Sequence, residues 1–326
     1  MLAVVCRELS GLDGLSVEEL PSPEPGPGQV LIRVRTAGLN FADSLIIKGQ
    51  YQERPPLPFV PGMEIAGTIE ACGAGVDDFV PGERVLATLQ HGGFAEAAVA
   101  AADKVVRLPD EVDDVAAASL PVAYGTAYGA LCWSGRLQAG ETLMVHGAGG
   151  GVGLAAVECG HVLGAVVIAT ARGPAHLDAA RAHGADHLID TAREDVRERA
   201  LELTEGRGVD VVFDPIGGEL FTASLRAIAW EGRVLVIGFA SGEIPQIPAN
   251  RLLLKNAGAI GFYWGSYRKH DPGRVRACLD QLLRWCAEGS IRPHASDVLP
   301  LEQAREALEL LMARKSTGKV VLRMGD

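Results

Sequence analysis

The middle of the chain alternates short apolar runs with longer amphipathic segments, and this alternation predicts its architecture. We expect strands at 142–146, 166–170, 187–189, 209–213, 233–237 and 259–263. We expect helices between them, at 151–163, 175–183, 194–204 and 219–228. Strands that alternate with helices form a parallel sheet covered on both faces. The pattern therefore predicts a doubly wound α/β fold for this region.

The flanking regions have a different pattern. Residues 30–36 alternate between apolar and polar, as in a half-buried strand, and further short strands are expected at 64–70, 84–88 and 95–100. Helices at 272–287 and 301–312 and a strand at 319–323 follow the doubly wound region. A chain of 326 residues is long for one hydrophobic core. We predict a β domain over 1–118, a second domain over 119–264, and a C-terminal segment, 265–326, that completes the first domain.

Composition and charge limit the class of protein. The run 115–135 carries no charge, but its proline and many alanines make it too weakly hydrophobic for a membrane span, so a buried interdomain helix is expected. The net charge of −11 disfavours nucleic acid or an anionic membrane as partner. Six scattered cysteines without a CxxC pair, and no secretory signal, indicate a reduced, cytoplasmic protein.

The most informative motif follows the first strand of the doubly wound region. Ala148-x-Gly150-x-x-Gly153 matches the dinucleotide-binding fingerprint, with alanine in place of the first glycine. A helix that begins in glycines offers free backbone N–H groups to a phosphate, so Gly149, Gly150, Gly151 and Val152 are expected to bind the pyrophosphate. The alternative is a glycine turn that serves packing alone.

Two more strand ends bear on the nucleotide. The second strand ends in Thr170, followed by Arg172 and His176, where an NAD site normally has a carboxylate for the ribose. Because an arginine pairs with a 2′-phosphate, NADP(H) is favoured, the alternative being a solvated surface arginine. Ile237, Gly238 and Phe239 end a later strand at the carboxyl edge, where ligands of such sheets bind. Phe239 is expected either to cover the nicotinamide or to lie in the core.

Seven further segments carry a resemblance along nearly the whole chain. They are GLNFADSLIIKGQY (38–51), PFVPGMEIAGTIEACG (58–73), HGGFAEAAV (91–99), YGTAYGAL (124–131), HGADHLIDT (183–191), DVVFDPIGG (210–218) and STGKVVL (316–322). Together they resemble the medium-chain dehydrogenase/reductase family, within it the zinc-independent quinone oxidoreductases related to zeta-crystallin. The resemblance implies a GroES-like β domain plus a Rossmann domain, with the cofactor in the cleft between them. It also implies a homodimer formed by continuing the Rossmann sheet across subunits, with 262–264 near the interface.

The residues at the family's zinc positions are not zinc ligands. Zinc enzymes of the family use a cysteine near position 40 and a histidine in Gly-His-Glu, where this chain has Asn40 and Met63. The four-cysteine lobe of those enzymes is also missing, and His91, His146 and His161 are isolated in sequence and are expected at the surface or in turns. No metal is therefore expected. Without such a Lewis acid, the acceptor must itself be electron-poor, as quinones and α,β-unsaturated carbonyls are.

The resemblance also assigns roles to four side chains. Asn40 is expected to contact the ribose or a substrate carbonyl, or else to be a turn residue bonded to its own backbone. Asp43 is expected to orient Asn40, to hold the local backbone or to act as an acid. Tyr51 is a candidate proton donor or stacking partner, the alternative being a packed loop tyrosine. Thr126 is expected to meet the nicotinamide amide or to be a plain helix-interior threonine.

These expectations define three functional hypotheses. The first is an NADPH:quinone oxidoreductase that passes hydride from the nicotinamide to a small-molecule quinone. The second is a reductase of enones or enoyl thioesters, which needs a proton delivered to carbon. The third is an NADPH-binding structural or sensor protein with incidental catalysis.

Overall fold

The computed structural model describes residues 1–325. Its strands are β1 (Leu2–Cys6), β2 (Leu15–Glu19), β3 (Gln29–Gly38), β4 (Glu64–Cys72), β5 (Arg84–Thr88), β6 (Ala97–Ala101), β7 (Val105–Arg107), β8 (Thr142–His146), β9 (Val166–Ala171), β10 (His187–Asp190), β11 (Val209–Asp214), β12 (Ile228–Val236), β13 (Gly258–Gly261), β14 (Ala295–Pro300) and β15 (Lys319–Arg323). Its α-helices are α1 (Phe41–Ile46), α2 (Asp114–Ser119), α3 (Gly125–Gly129), α4 (Gly151–Val162), α5 (Pro174–Ala182), α6 (Val196–Leu203), α7 (Gly218–Ala227), α8 (Ala249–Lys255), α9 (Trp264–His270), α10 (Pro272–Ala287) and α11 (Ala304–Met312).

The chain divides into two compact units. Unit 1 comprises residues 1–122, 279–289 and 293–326, and unit 2 comprises 123–278 and 290–292. The domain limits predicted from the sequence, 118/119 and 264/265, stay a prediction. In the structure the chain passes from unit 1 to unit 2 between residues 122 and 123, and it returns to unit 1 between residues 278 and 279.

Unit 1 is built on a seven-stranded sheet. The strand order is β14-β15-β3-β4-β5-β7, and β6 also pairs with β3. In β3 the exposed Arg33 and Arg35 alternate with the buried Ile32 and Val34, as the sequence pattern predicts. Its apolar face packs into a core to which α11 and β15 also contribute. α11 and β15 thus belong to the same core as β1.

Unit 2 contains a parallel six-stranded sheet. Its order, β10-β9-β8-β11-β12-β13, runs outward in both directions from the neighbours β8 and β11. All five residues of β8 are buried, which is why its centre, residues 143–145, is entirely apolar. Successive strands are added in one direction from β8 to β10 and in the opposite direction from β11 to β13, so the strand order reverses between β8 and β11. In doubly wound sheets, ligands bind outside the carboxyl ends of the strands at such a switch point.

One predicted boundary in this sheet is wrong. The apolar pattern predicted a helix to residue 228 and a strand from 233, but β12 begins at Ile228. The pairing with β11 jumps from Val209↔Ile228 to Val211↔Arg233, and Glu231 has a φ of 58°. The strand therefore contains a bulge-like irregularity at which its side chains stop alternating between the two faces of the sheet. A search for alternating apolar and polar residues misses the part of the strand before this irregularity.

The uncharged run forms one continuous helical segment. Two π-helical turns, Leu120–Tyr124 and Ala130–Ser134, lie on either side of α3, so that residues 114–134 are helical throughout. By length and composition alone this segment could cross a membrane. However, 78% of its most apolar window is buried inside the protein. It is therefore accounted for as an interior helix, as its alanine-rich composition predicts.

Candidate active site

The glycine turn connects β8 to α4 at the switch point. A Cβ atom on Gly153 would lie 2.1 Å from the Gly147 carbonyl oxygen, so only glycine allows the turn to approach the helix this closely. α4 begins at Gly151, and its N-cap residue, Gly150, provides no side chain to cap the helix. Within residues 1–325, the N–H groups of Gly151 and Val152 have no protein acceptor. Free donors at the positive end of a twelve-residue helix suit a pyrophosphate.

The loop after β11 brings a second group of predicted residues to the turn. The Asp214 carboxylate accepts hydrogen bonds from the N–H groups of Ile216 (2.7 Å) and Gly217 (2.9 Å). The Asp214 carbonyl oxygen accepts one from the Ile237 N–H (2.9 Å), so residues 237–239 begin beside this loop. A Cβ on Gly147 would touch Ile216, which shows that the two loops are in contact. Phe239 is 40% exposed and so is not a core residue.

The end of β9 lies on the other side of the turn. Arg172 is exposed, and no ion pair within 4 Å is formed by its guanidinium in the described part of the chain. His176 is half-buried in α5, and its Cβ is 2.4 Å from where a Cβ on Gly149 would be. The Thr170 side chain is fully buried, and its hydroxyl lies 2.7 Å from His146 Nδ1. The Thr170 hydroxyl is thus engaged with the protein interior.

Arg193 is a nearby cation that sequence reasoning missed. Asp190 pairs with Ala171 at the end of β10, and its carboxylate lies 3.6 Å from Arg193 Nε. Hydrogen bonds from the Ala192 and Gly173 N–H groups lower the pKa of Asp190, and the charges of Arg193 and Arg172 lower it further. Both guanidiniums therefore lie at the carboxyl edge of the sheet. The available signal was an arginine three residues beyond a strand end.

The structure contradicts the expectation for His146. His91, His146 and His161 were all expected at the surface or in turns, and His91 and His161 are indeed exposed. His146, however, has no exposed surface, because it is the last residue of the fully buried β8. Its Nε2 lies 2.7 Å from the Ser224 hydroxyl of α7. Burial lowers the pKa of His146.

A buried polar cluster in unit 1 contains Asn40. The ammonium of Lys319 donates hydrogen bonds to Asn40 Oδ1 (2.8 Å), Glu64 Oε1 (2.7 Å) and the Leu39 carbonyl (2.6 Å). The Asn40 amide nitrogen donates to Glu64 Oε1 (2.8 Å), and the Val122 N–H donates to Glu64 Oε2 (2.8 Å). These two charged partners fix the orientation of the Asn40 amide, whose oxygen faces the Lys319 ammonium and whose nitrogen faces the Glu64 carboxylate. Glu64 and Lys319 were not predicted.

Asp43 and Tyr51 have different surroundings within unit 1. The Asp43 carboxylate accepts the backbone N–H of Asn40 (2.8 Å), a contact that holds the local backbone. Burial raises the pKa of Asp43 to about 7, although the Asn40 N–H and the charge of Lys319 act in the opposite direction. Tyr51 is half-buried and packs against the unit 1 core. Their chemical roles remain predictions.

Thr126 lies in unit 2, on α3. Its side chain is 8% exposed, and α3 packs against α4, the helix that the glycine turn begins. The indole of Trp264 fills the space that a side chain on Gly125 would need. Trp264 is 5% exposed and stacks on Trp133, so it lies inside unit 2. The structure therefore gathers the turn, the ends of β9 and β11 and residues 237–239 at one sheet edge, with Thr126 on an adjoining helix.

The donor set does not fit the zinc that the fold family suggests. Met63 is buried in the apolar core of unit 1, and the Asn40 amide is bonded to Glu64 and Lys319. The buried ammonium places a positive charge where a second cation would have to bind. Among residues 1–325, no group of three or more histidine, cysteine, aspartate or glutamate side chains could hold a metal ion.

Comparison with known proteins agrees with this geometry. Residues 26–110 match the family described as alcohol dehydrogenase GroES-like domain, and residues 151–285 match the family described as zinc-binding dehydrogenase. A quinone oxidoreductase-like protein 2 homolog from Nematostella vectensis is 42% identical over 324 residues, covering 98% of this chain and 88% of the relative. The chain belongs to the medium-chain dehydrogenase/reductase family. The GroES-like and Rossmann domains expected from the sequence are confirmed.

Two other members of the family widen the comparison. The synaptic vesicle membrane protein VAT-1 homolog of Homo sapiens is 34% identical, covering 97% of this chain and 86% of the relative. A mycobacterial protein solved in complex with NADPH superposes with a TM-score of 0.91 at 31% identity, covering 99% of this chain and 100% of that one. The family therefore includes proteins with differently described functions on this same fold.

Proposed function

We propose that this family member is an NADPH-dependent oxidoreductase that delivers a hydride to a quinone. The observation that carries the proposal is the uncapped α4 N-terminus at the switch point, with Arg172 and Arg193 at the neighbouring strand ends. A pyrophosphate and a 2′-phosphate are the two anionic groups of NADPH, and one sheet edge offers donors suited to each. The relative solved with NADPH supports the choice of nucleotide.

The nucleotide is held by backbone and by charge. The backbone at Gly149–Val152 cradles the pyrophosphate, with the free N–H groups of Gly151 and Val152 as donors, and Arg172 pairs with the 2′-phosphate, assisted by Arg193. Asp190 is already bonded to backbone N–H groups and to Arg193, so its carboxylate repels the phosphate less than a free one would. Thr126 and the segment 237–239 lie on the elements beside the turn and bind the nicotinamide end.

The acceptor has to supply its own electrophilicity. The bound cofactor supplies a hydride. No group of side chains in the described chain could hold a zinc ion that would activate an alcohol. A quinone is electron-poor without such help, and quinone oxidoreductase-like relatives support it as the acceptor class. Asn40, whose amide is held by Glu64 and Lys319, is the proposed contact to the ribose or to the acceptor carbonyl.

A direct assay follows NADPH oxidation with 1,4-benzoquinone, a simple enone and crotonyl-CoA as acceptors. We expect turnover to be fastest with the quinone and to persist after dialysis against a metal chelator. A preference for crotonyl-CoA would replace the quinone with an enoyl thioester. Binding of NADPH without turnover of any acceptor would refute the oxidoreductase function.

A non-enzymatic role is the second candidate, because one relative is described as a synaptic vesicle membrane protein. In that case NADPH binding is retained and catalysis is incidental. The two candidates differ in rate: an enzyme turns over a preferred acceptor many times per second, whereas a sensor does so slowly with all acceptors. A cytoplasmic location remains a prediction from the cysteine pattern.

We also propose a homodimer that continues the parallel sheet through β13. This strand is the last in the sheet order, so one of its edges is unpaired among residues 1–325. The helix that precedes it, α8, exposes Leu253 (76%) and Leu254 (75%), and the loop before α8 exposes Ile244 (70%). Sedimentation should give a dimer for the native chain and a monomer when both leucines are replaced by lysine. A monomeric native protein would contradict the proposal.

A further inference from the structure

His146 joins the two parts of the proposed nucleotide site. It is the residue immediately before the glycine turn, and its Nδ1 lies 2.7 Å from the Thr170 hydroxyl, two residues before Arg172. The Ala148 N–H in the turn donates to the Thr170 carbonyl oxygen (3.1 Å). Thr170 is therefore bonded both to His146, through its side chain, and to Ala148, through its backbone. The pyrophosphate-binding turn and the loop with Arg172 therefore meet at Thr170.

The hydrogen-bond network assigns the tautomer of His146. The Ser224 hydroxyl donates its proton to the Leu220 carbonyl oxygen (2.9 Å), so it accepts from His146 Nε2–H at 2.7 Å. Nδ1 is then the acceptor for the Thr170 hydroxyl. The ring has no exposed surface, so solvent does not compete for either bond. In this tautomer His146 connects the carboxyl ends of β8 and β9 to α7.

We infer that His146 is a positioning residue for cofactor choice, which sets the distance between the glycine turn and the Arg172 loop. This rests on the proposed function, because it assumes that the turn binds the pyrophosphate and Arg172 the 2′-phosphate. The two anions are joined covalently in NADPH, so both sites are filled together only when their spacing is right. NADH has no 2′-phosphate and uses the turn alone. Loss of the His146 link therefore weakens NADPH binding more than NADH binding.

The test is calorimetric titration of folded variants with NADPH and with NADH. We expect His146→Gln and Thr170→Val to raise the Kd for NADPH about tenfold and that for NADH less than about threefold, since one to two buried hydrogen bonds are lost. His161→Gln, on the exposed side of α4, is the matched control and leaves both constants unchanged. Because Thr170→Val keeps the side-chain volume, it decides the matter if His146→Gln does not fold.

Three results are informative. A selective loss of NADPH affinity supports the inference. An equal loss for both nucleotides, or no loss in folded variants, overturns it, because a purely structural histidine would not discriminate between them. If the native protein binds neither nucleotide, the proposed function itself fails and the inference fails with it. Nitrogen NMR of His146 gives an independent check, since the assigned tautomer requires a protonated Nε2 and an unprotonated Nδ1 in the neutral ring.

Discussion

Alanine at Gly150 and at Gly153 should separate stability from nucleotide binding. A Cβ on Gly153 would lie 2.1 Å from the Gly147 oxygen and 2.7 Å from its carbonyl carbon, both backbone atoms that cannot rotate away. A Cβ on Gly150 has only the Gly147 oxygen within 4 Å, at 3.5 Å, which is ordinary contact. Gly150 also has a φ of −90°, which alanine adopts freely. The first change strains the fold, and the second fills the space in front of the helix.

The magnitudes follow from these distances. Overpacking costs about 1–3 kcal/mol, and a backbone clash of this size belongs at the upper end. The helix-propensity gain of alanine returns about 1 kcal/mol, so Gly153→Ala should lose about 2 kcal/mol, or roughly 4–8 °C in Tm. Gly150→Ala loses at most about 1 kcal/mol as a poorer N-cap. Its NADPH affinity should fall about 30-fold, the equivalent of about 2 kcal/mol of charge-assisted hydrogen bonds.

The assay is thermal unfolding monitored by circular dichroism, combined with calorimetric titration of NADPH. Gly273→Ala, at an exposed position of α10 with no atom within 4 Å of the added methyl group, is the control for the substitution itself. An unchanged Tm for Gly153→Ala would refute the geometry of the turn. Native NADPH affinity in Gly150→Ala would show that the pyrophosphate does not bind at the start of α4.

Three more predictions concern charged residues. Arg172→Ala should raise the Kd for NADPH but not for NADH, and Arg193→Ala should do the same more weakly; equal effects on both nucleotides in titrations would argue against a 2′-phosphate site. Because burial raises the pKa of Asp43 to about 7, the folded state keeps a proton that the unfolded state releases above about pH 4. Stability is therefore lost as pH rises from about 4 to 7, and urea midpoints of Asp43→Asn should lack this slope; parallel profiles would contradict it. Lys319→Met leaves Glu64 buried without its cation and should lower the free energy of unfolding in urea by about 3–5 kcal/mol. Adding Glu64→Gln to this variant should restore part of the lost stability. No restoration would mean that the unpaired charge is not the cause of the loss.

The centre of the unit 2 sheet was predictable because β8, β9 and β11 are almost entirely buried. Such strands appear in sequence as continuous apolar runs, and β8 and β11 lie within one residue of their predicted limits. Short elements were not predicted, among them α1 and α8. α1 has six residues and α8 has seven, too few turns to show a helical period. Their conformations depend on tertiary contacts rather than on local pattern.

Only those parts of the candidate site whose residues lie close together in the sequence could be predicted. Asn40 and Asp43 are three residues apart, so one motif contains both. Glu64 and Lys319 reach Asn40 from 24 and 279 residues away, and no local pattern encodes such a contact. The available signal was a charged residue that opens a strand and is followed by apolar residues, which implies a buried partner. The same reasoning applies to His146, a polar residue that ends a fully buried strand.

The most direct measurement is single-turnover mixing of chelator-treated protein, loaded with stoichiometric NADPH, with an excess of 1,4-benzoquinone. We expect complete loss of the NADPH absorbance at a rate that is unaffected by added zinc and reduced in Gly150→Ala. Persistence of the NADPH absorbance in the bound complex, or oxidation that appears only when zinc is added, would contradict it.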